Sequence, residues 1–223
     1  MTTIELYTYV KDLVNRNSTG KGADLSKGLF VKYYNTSSKK YVTYLLNNRN
    51  DDVLRSISNL RTVVEIEEVD SNSKYNEYAF PGDYLDFINV TAKFKGDYCP
   101  QGLRSQIMKE VKPEEIDLYY NDPFNEPSIK HAESLYNLSG KGIFIYKKGF
   151  EIEDVNLYYY RNPQEIDIEG YKHEDGEVST TIDPDLSDQA LLEVALMIAK
   201  QFTISTDDYN KAQFLQQQQQ IKK

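Results

Sequence analysis

The chain holds one cysteine, Cys99, and two histidines, His131 and His173. A thiol nucleophile needs a basic partner to draw off its proton. Cys99 sits in the turn-like Tyr98-Cys99-Pro100-Gln101-Gly102, and both histidines lie in polar, loop-like stretches. Structural zinc takes four Cys or His ligands at short spacings, and three such residues far apart in sequence do not supply that pattern. Carboxylates are abundant, so a general acid–base pair such as Glu115 and Asp117 is the remaining chemical candidate. Nothing in their spacing separates that pair from ordinary solvated surface acids. No nucleophile elbow, Walker loop or dinucleotide fingerprint is present, and Gly140-Lys141-Gly142 reads as a small turn leading into a strand. The residues therefore predict no catalytic centre, no metal site and no cofactor. A small hydrolase with a carboxylate pair is the one enzymatic alternative.

Pattern is concentrated elsewhere, between Asp122 and Ile168. Asp122-Pro123-Phe124-Asn125-Glu126-Pro127-Ser128 carries two prolines, which fix φ and remove two N–H donors. Such a loop cannot join a sheet interior, but it can hold Phe124 in one pose. Ile143 to Tyr146 and Val155 to Tyr160 then read as two strands, with Lys147-Lys148-Gly149 between them as the turn of a hairpin. Arg161-Asn162-Pro163 ends the second strand. The chain has 19 Tyr, 9 Phe and no Trp. Tyrosine offers a large apolar body with a polar tip, which suits half-buried contacts as well as β-strands.

The elements around this stretch give a mixed α+β chain. Thr2-x-x-Glu5 predicts a capping box, and Ile4, Tyr7, Val10, Leu13 and Val14 recur at helical spacing behind it. A second helical region runs from Asp24 to Leu60, with Asn35-Thr36-Ser37-Ser38 and Asn47-Asn48-Arg49-Asn50 as potential breaks. The period changes near Val63. Val64 and Ile66 suggest a short strand, and Phe80-Pro81-Gly82-Asp83-Tyr84 a turn into the next. There Ile88, Val90, Ala92 and Phe94 alternate with polar residues. Lys95 to Glu110 reads as an exposed excursion, and Lys112 to Leu118 as a short helix with proline at its start. Asp185 or Ser187 opens a helix with the stripe Leu191, Val194, Ala195, Ile198 and Phe202. Ser205-x-x-Asp208 restarts a last helix that carries Tyr209, Phe214 and Leu215 into a glutamine run. The expected division is a helical region over 1–62, an antiparallel β-rich core with a tyrosine-rich hairpin over 63–183, a packing helix over 184–205, and a helix with an extended arm over 206–223.

Charge is unevenly placed. Residues 1–65 hold 10 Lys and Arg against 6 Asp and Glu, whereas residues 66–223 hold 16 against 29, and the whole chain is at −9. The acidic remainder repels a phosphate backbone, which excludes tight DNA binding but suits a wall past which DNA slides. No run approaches the roughly 18 apolar residues of a membrane span. The N-terminus lacks the basic and apolar regions of a signal peptide, so no membrane partner is expected.

Taken together, several motifs resemble the neck proteins of crAss-like bacteriophages and related tailed phages of Bacteroidetes hosts. They are Phe80 to Leu85 running into Ile88-Asn89-Val90, Asp122 to Ser128, Tyr159-Tyr160-Arg161-Asn162-Pro163 with Ile166-Asp167, and the helix segment Glu193 to Ala199. The resemblance covers residues 80–205. It implies a non-catalytic ring protein of the virion, a head-to-tail connector assembled in the bacterial cytoplasm. Its partners would be further copies of itself in a twelve-fold ring, the portal protein, other neck or tail proteins, and genomic DNA passing through without tight binding. Phe124, Tyr159, Tyr160, Tyr209, Phe214 and Leu215 are the expected partner contacts. A head-completion or tail-tube protein shares these features and is the alternative.

Overall fold

The computed structural model describes residues 1–15, 24–48, 54–96, 104–105, 107–131, 133–173 and 176–205. It is mixed α+β, with helices toward both termini and tyrosine-rich sheets between them. The chain divides into two compact units, Met1–Leu60 with Asn162–Lys223, and Arg61–Arg161. Residues 162–183, expected with the β-rich core, belong instead with the helices. The last helix and arm expected over 206–223 lie outside the described residues.

In the helical unit, α1 (Thr3–Asn15) begins with a reciprocal capping box. The Thr2 backbone N–H donates to Glu5 Oε2 at 2.8 Å, and the Glu5 N–H donates to Thr2 Oγ1 at 3.3 Å. The long helix α2 (Lys27–Asn48) runs through Asn35-Thr36-Ser37-Ser38, one of the two potential breaks, and ends at the other. Two of these polar side chains find partners beyond their own helix, and a third bonds back one turn within it. Asn35 accepts from the Ile166 N–H and donates to the Ile166 carbonyl. Thr36 donates to the Lys32 carbonyl, and Ser37 donates to Gln201. With these partners the side chains do not pull the backbone out of its helix.

A 3₁₀ turn at Arg55–Leu60 follows α2, and a C-terminal helix, Asp188–Ser205, packs against both α1 and α2. Ser187 caps that helix, taking the Ala190 N–H on its hydroxyl. Its expected stripe is buried at Leu191, Val194, Ala195, Ile198 and Phe202.

Among the described residues, one buried hydroxyl has no hydrogen-bond partner, that of Tyr34 on α2. Burial raises its pKa, with the nearby Asp185 charge adding to the effect. An unmade hydrogen bond in the interior costs more than deleting the group that needs it. Tyr34→Phe should therefore raise stability by about 1 kcal/mol. Urea unfolding measures this, and a loss of stability would show that the hydroxyl has a partner.

The β unit is built from two sheets. The first is antiparallel, in the order β1 (Arg61–Glu65), β9 (Glu151–Arg161), β4 (Tyr84–Lys95), β5 (Arg104–Ser105). The second runs β2 (Glu68–Ser71), β3 (Tyr75–Ala79), β8 (Gly142–Tyr146), β7 (Glu133–Leu138), β6 (Ile107–Glu110). Its β6–β7 pair is parallel, a departure from the all-antiparallel expectation. The excursion expected over 95–110 contributes β5 and β6 to the two sheets. Val90, Ala92, Phe94, Val155, Leu157 and Tyr159 from the first sheet join Tyr78, Tyr136, Ile143 and Ile145 from the second in one buried cluster. Apolar side chains thus fill the space between two facing sheets.

The expected hairpin of Ile143–Tyr146 with Val155–Tyr160 is not formed. β8 pairs with β3 and β7, and β9 pairs with β1 and β4. Between them Gly149 turns at φ +72°, and Phe150 is buried edge-to-face on Phe94 with ring centres 5.1 Å apart. Burying Phe150 carries the chain from one sheet to the other, so two adjacent strands become central strands of different sheets. The Pro81–Tyr84 turn forms as expected, with the Tyr84 N–H donating to the Pro81 carbonyl at 3.0 Å. In β4 the register against β9 shifts at three places, Tyr84/Asp86, Phe87/Asn89 and Thr91/Lys93. A register irregularity at Phe87/Asn89 leaves Phe87 against the core and Ile88 39 % exposed. One extra residue reverses which face every later side chain takes.

Candidate interaction surface

The loop Asp122 to Ser128 is held by its own first residue. The Asp122 carboxylate accepts the Phe124 N–H at 3.0 Å and the Asn125 side-chain amide. The Asp122 carbonyl accepts the N–H groups of Asn125 and Glu126 at 3.0 and 2.9 Å. The Phe124 N–H bond, with the Asn125 amide second, holds the Asp122 carboxyl below the usual carboxylate range. Glu126 then meets Lys148 at 2.6 Å, which ties the loop to the chain after β8. The proline at 123 sets φ, and the aspartate supplies a side-chain turn.

The result is a ring held out into solvent, with Phe124 92 % exposed. The helix just before the loop, α3 (Ile116–Asn121), presents Leu118 at 73 % exposure. Its other side is anchored, since Ile116 joins Val111, Leu135 and Tyr146 in a small second core on the outer face of the five-stranded sheet. Tyr119 lies under the Lys109 ammonium at 4.3 Å, and Tyr120 lies under those of Lys148 and Lys74 at 5.3 and 5.6 Å. The Tyr120 hydroxyl donates to the Lys147 carbonyl. The two aromatics beside Leu118 are thus covered by lysines, while Leu118 and Phe124 are bare.

The other expected contacts fall differently. Tyr159 and Tyr160 are buried in the β unit. Tyr159 donates its hydroxyl to Asp83 at 2.8 Å, and burial together with that carboxylate pushes its pKa up to about 12. Tyr160 accepts from Arg61 Nε at 3.0 Å, with the guanidinium over its ring. Both rings are enclosed by their own chain, Tyr159 in the cluster between the two sheets and Tyr160 beneath the Arg61 guanidinium. They are corrected from partner contacts to packing residues. Tyr209, Phe214 and Leu215 lie outside the described residues, as does Cys99.

One polar cluster was not anticipated. Asp167 is buried, and four donors meet its carboxylate. Oδ1 takes the Ile168 N–H at 2.9 Å and the Tyr171 hydroxyl at 2.8 Å. Oδ2 takes the Thr180 N–H at 2.9 Å and approaches His173 Nε2 at 3.1 Å. Burial alone would raise this carboxyl, but the bonds from Tyr171, Thr180, Ile168 and His173 outweigh it and hold it below the usual range. Tyr171 is driven the other way, to about 12, by burial and by the Asp167 charge. An Asp–His pair looks like the orienting half of a hydrolytic triad. Here all four lone pairs of the carboxylate are occupied, and the Tyr171 hydroxyl is one of the donors that fill them. The cluster closes the loop whose bridges are Asp167–Ile182 and Lys172–Val178.

Elsewhere, Asp117 is an exposed acid 3.9 Å from Lys74, and Glu115 ends the 3₁₀ turn before α3. His131 lies exposed after the Ser128 turn. Among the described residues no group of three His, Cys, Asp or Glu side chains could hold a metal ion. No described helix is long and apolar enough to cross a membrane. No family model matches this chain, and no curated protein matches it.

Proposed function

We propose that this chain is a structural subunit of the neck of a tailed bacteriophage, forming a ring around the DNA channel and docking on the portal without catalysis. The observation that carries the reading is Phe124, bare in water on a loop that Asp122 holds fixed. Exposing a large aromatic forgoes the ~1.5–3 kcal/mol its burial yields. A fixed aromatic anchor of this kind is what a desolvated contact uses, because little freedom is lost on docking. The motif that holds it, Asp122 to Ser128, is also the central part of the resemblance to phage neck proteins. The −9 net charge supports a channel wall, since a cationic lining would retain the DNA. A ring of identical subunits needs two different complementary faces on each copy, and the Phe124 loop supplies one.

Native mass spectrometry of the chain, alone and with the portal, tests the reading. A closed ring is expected once the portal is present, twelve-fold on a twelve-fold portal. Phe124→Ala should leave the thermal midpoint unchanged, because the ring touches little of its own chain. It should weaken assembly about 30-fold or more, the effect of losing an anchor worth roughly 2 kcal/mol. A monomer that never assembles on a portal would overturn the proposal.

A further inference from the structure

We infer that two copies of this chain pair through the outer edge of β1, antiparallel and centred on Val63. Strand β1 is the outer strand of the four-stranded sheet, and among the described residues only β9 lies beside it in that sheet. The Ile66 N–H donates to the Val155 carbonyl at 2.9 Å, continuing the register that sets Glu65 opposite Asn156. In an antiparallel ladder alternate residues turn both backbone groups to the same neighbour. Val64 and Thr62 therefore face β9 as Ile66 does, and Arg61, Val63 and Glu65 turn their N–H and C=O groups outward. Their side chains share the exposed face, with Val63 54 % exposed, while Val64 packs on the core.

The strand Arg61-Thr62-Val63-Val64-Glu65 is complementary to its own reverse. Centred on Val63, the pairing sets Arg61 opposite Glu65 of the second copy, Glu65 opposite its Arg61, and Val63 opposite Val63. That register pairs the outward backbone groups of all three residues. It forms two opposite-charge pairs and one apolar pair on the same face, the side-chain combinations that stabilise a sheet. Arg61 commits Nε to Tyr160, and a guanidinium carries four further N–H donors for the facing carboxylate. Any one-residue slip would break the charge match. Exposed edges of this kind are templates for strand addition, and here the charges select a second copy over a generic strand. The contact is two-fold and closes on itself, so it is separate from the heterologous contact of a ring and does not depend on that reading. It is small, which makes the dimer weak and concentration-dependent.

Sedimentation velocity of the full chain between about 10 µM and 1 mM tests the pairing. A monomer–dimer equilibrium is expected. Val63→Pro removes an N–H that faces away from β9, a change an edge strand accepts, and should weaken dimerisation at least 10-fold with an unchanged circular-dichroism spectrum. Glu65→Arg and Arg61→Glu should each abolish self-association, and an equimolar mixture of the two should restore it. In the mixed pair one strand carries arginine at both charged positions and the other carries glutamate at both, so each facing pair is again of opposite sign. A wild-type chain that is monomeric throughout, a dimer indifferent to Val63→Pro, or a mixture that fails to associate would each overturn the pairing. Rings that form equally well with Val63→Pro, with no dimer in wild type, would overturn the pairing and leave the neck reading standing. Dimers that follow the charge pattern but never assemble on a portal would do the reverse.

Discussion

Gly142→Ala should destabilise the β unit by about 3 kcal/mol or more, whereas Gly140→Ala, two residues away, should change stability by less than about 0.5 kcal/mol. The contrast comes from what each new methyl would meet. At Gly142 it would lie 2.0 Å from the Tyr78 carbonyl oxygen and 3.0 Å from its carbon, far inside ordinary contact. At Gly140 nothing lies within 4 Å. The obstacle at Gly142 is the backbone of β3, which pairs with β2 on one side and β8 on the other. A flexible side chain could swing aside, but β3 cannot move without opening a ladder. Tyr78 also belongs to the buried cluster between the sheets, so its displacement would disturb Ile143 and Ile145 as well. Urea unfolding of the two variants measures the difference. Equal stability would mean that the β3–β8 approach relaxes at no cost.

Local signals were legible in the sequence wherever the deciding partner lies within a few residues. The Thr2–Glu5 box and the Pro81–Tyr84 turn have short-range causes and formed as read, the proline after Lys112 leads a 3₁₀ turn into the short helix, and of Asp185 and Ser187 it is Ser187 that caps the C-terminal helix. The stripe from Leu191 to Phe202 was equally clear, because periodicity reports one buried face whatever covers it. Failures arose where a distant partner decided the outcome. Asn35 to Ser38 looked like a helix break, yet Ile166 and Gln201 satisfy two of the polar groups. The tyrosine-rich strands around Lys147-Lys148-Gly149 looked like a hairpin, and the burial of Phe150 sends them to separate sheets. Ile88 followed the alternating pattern, and one register irregularity turned it outward. For the candidate surface, the rigid loop and its Phe124 were readable because proline and aspartate act locally. The burial of Tyr159 and Tyr160 was not, since aromatic composition is the same for a packed strand and an interface.

The Asp167 cluster was missed for the same reason, and its removal should be the second large effect. Asp167→Asn leaves one oxygen and one amide NH2 where two acceptors stood. Whichever way the amide turns, its NH2 faces a backbone N–H, that of Ile168 or that of Thr180. The Tyr171 hydroxyl can rotate to accept, and the His173 ring can present a lone pair. A backbone N–H cannot turn to accept, so one donor loses its partner, at a cost of about 1–3 kcal/mol where that donor is the buried Ile168 N–H and less where it is that of the exposed Thr180. The loss should be local, because these bonds close the loop from Asp167 to Ile182. Hydrogen exchange should quicken at Ile168 and Thr180, and limited proteolysis should cut within the loop before the helices unfold. The pH dependence follows with a definite sign. The folded-state carboxyl is held below the ordinary range, despite burial, by its four donors. Its stabilisation is therefore fully present above about pH 4, the ordinary aspartate value, and is lost as the pH falls through the depressed one. Wild type should lose loop protection on acidification through that window, and Asp167→Asn, with no proton to take up there, should lose less. If the two proteins showed parallel acid profiles, the carboxylate would not be what holds the loop, and Tyr171 and His173 would have to do so through other contacts.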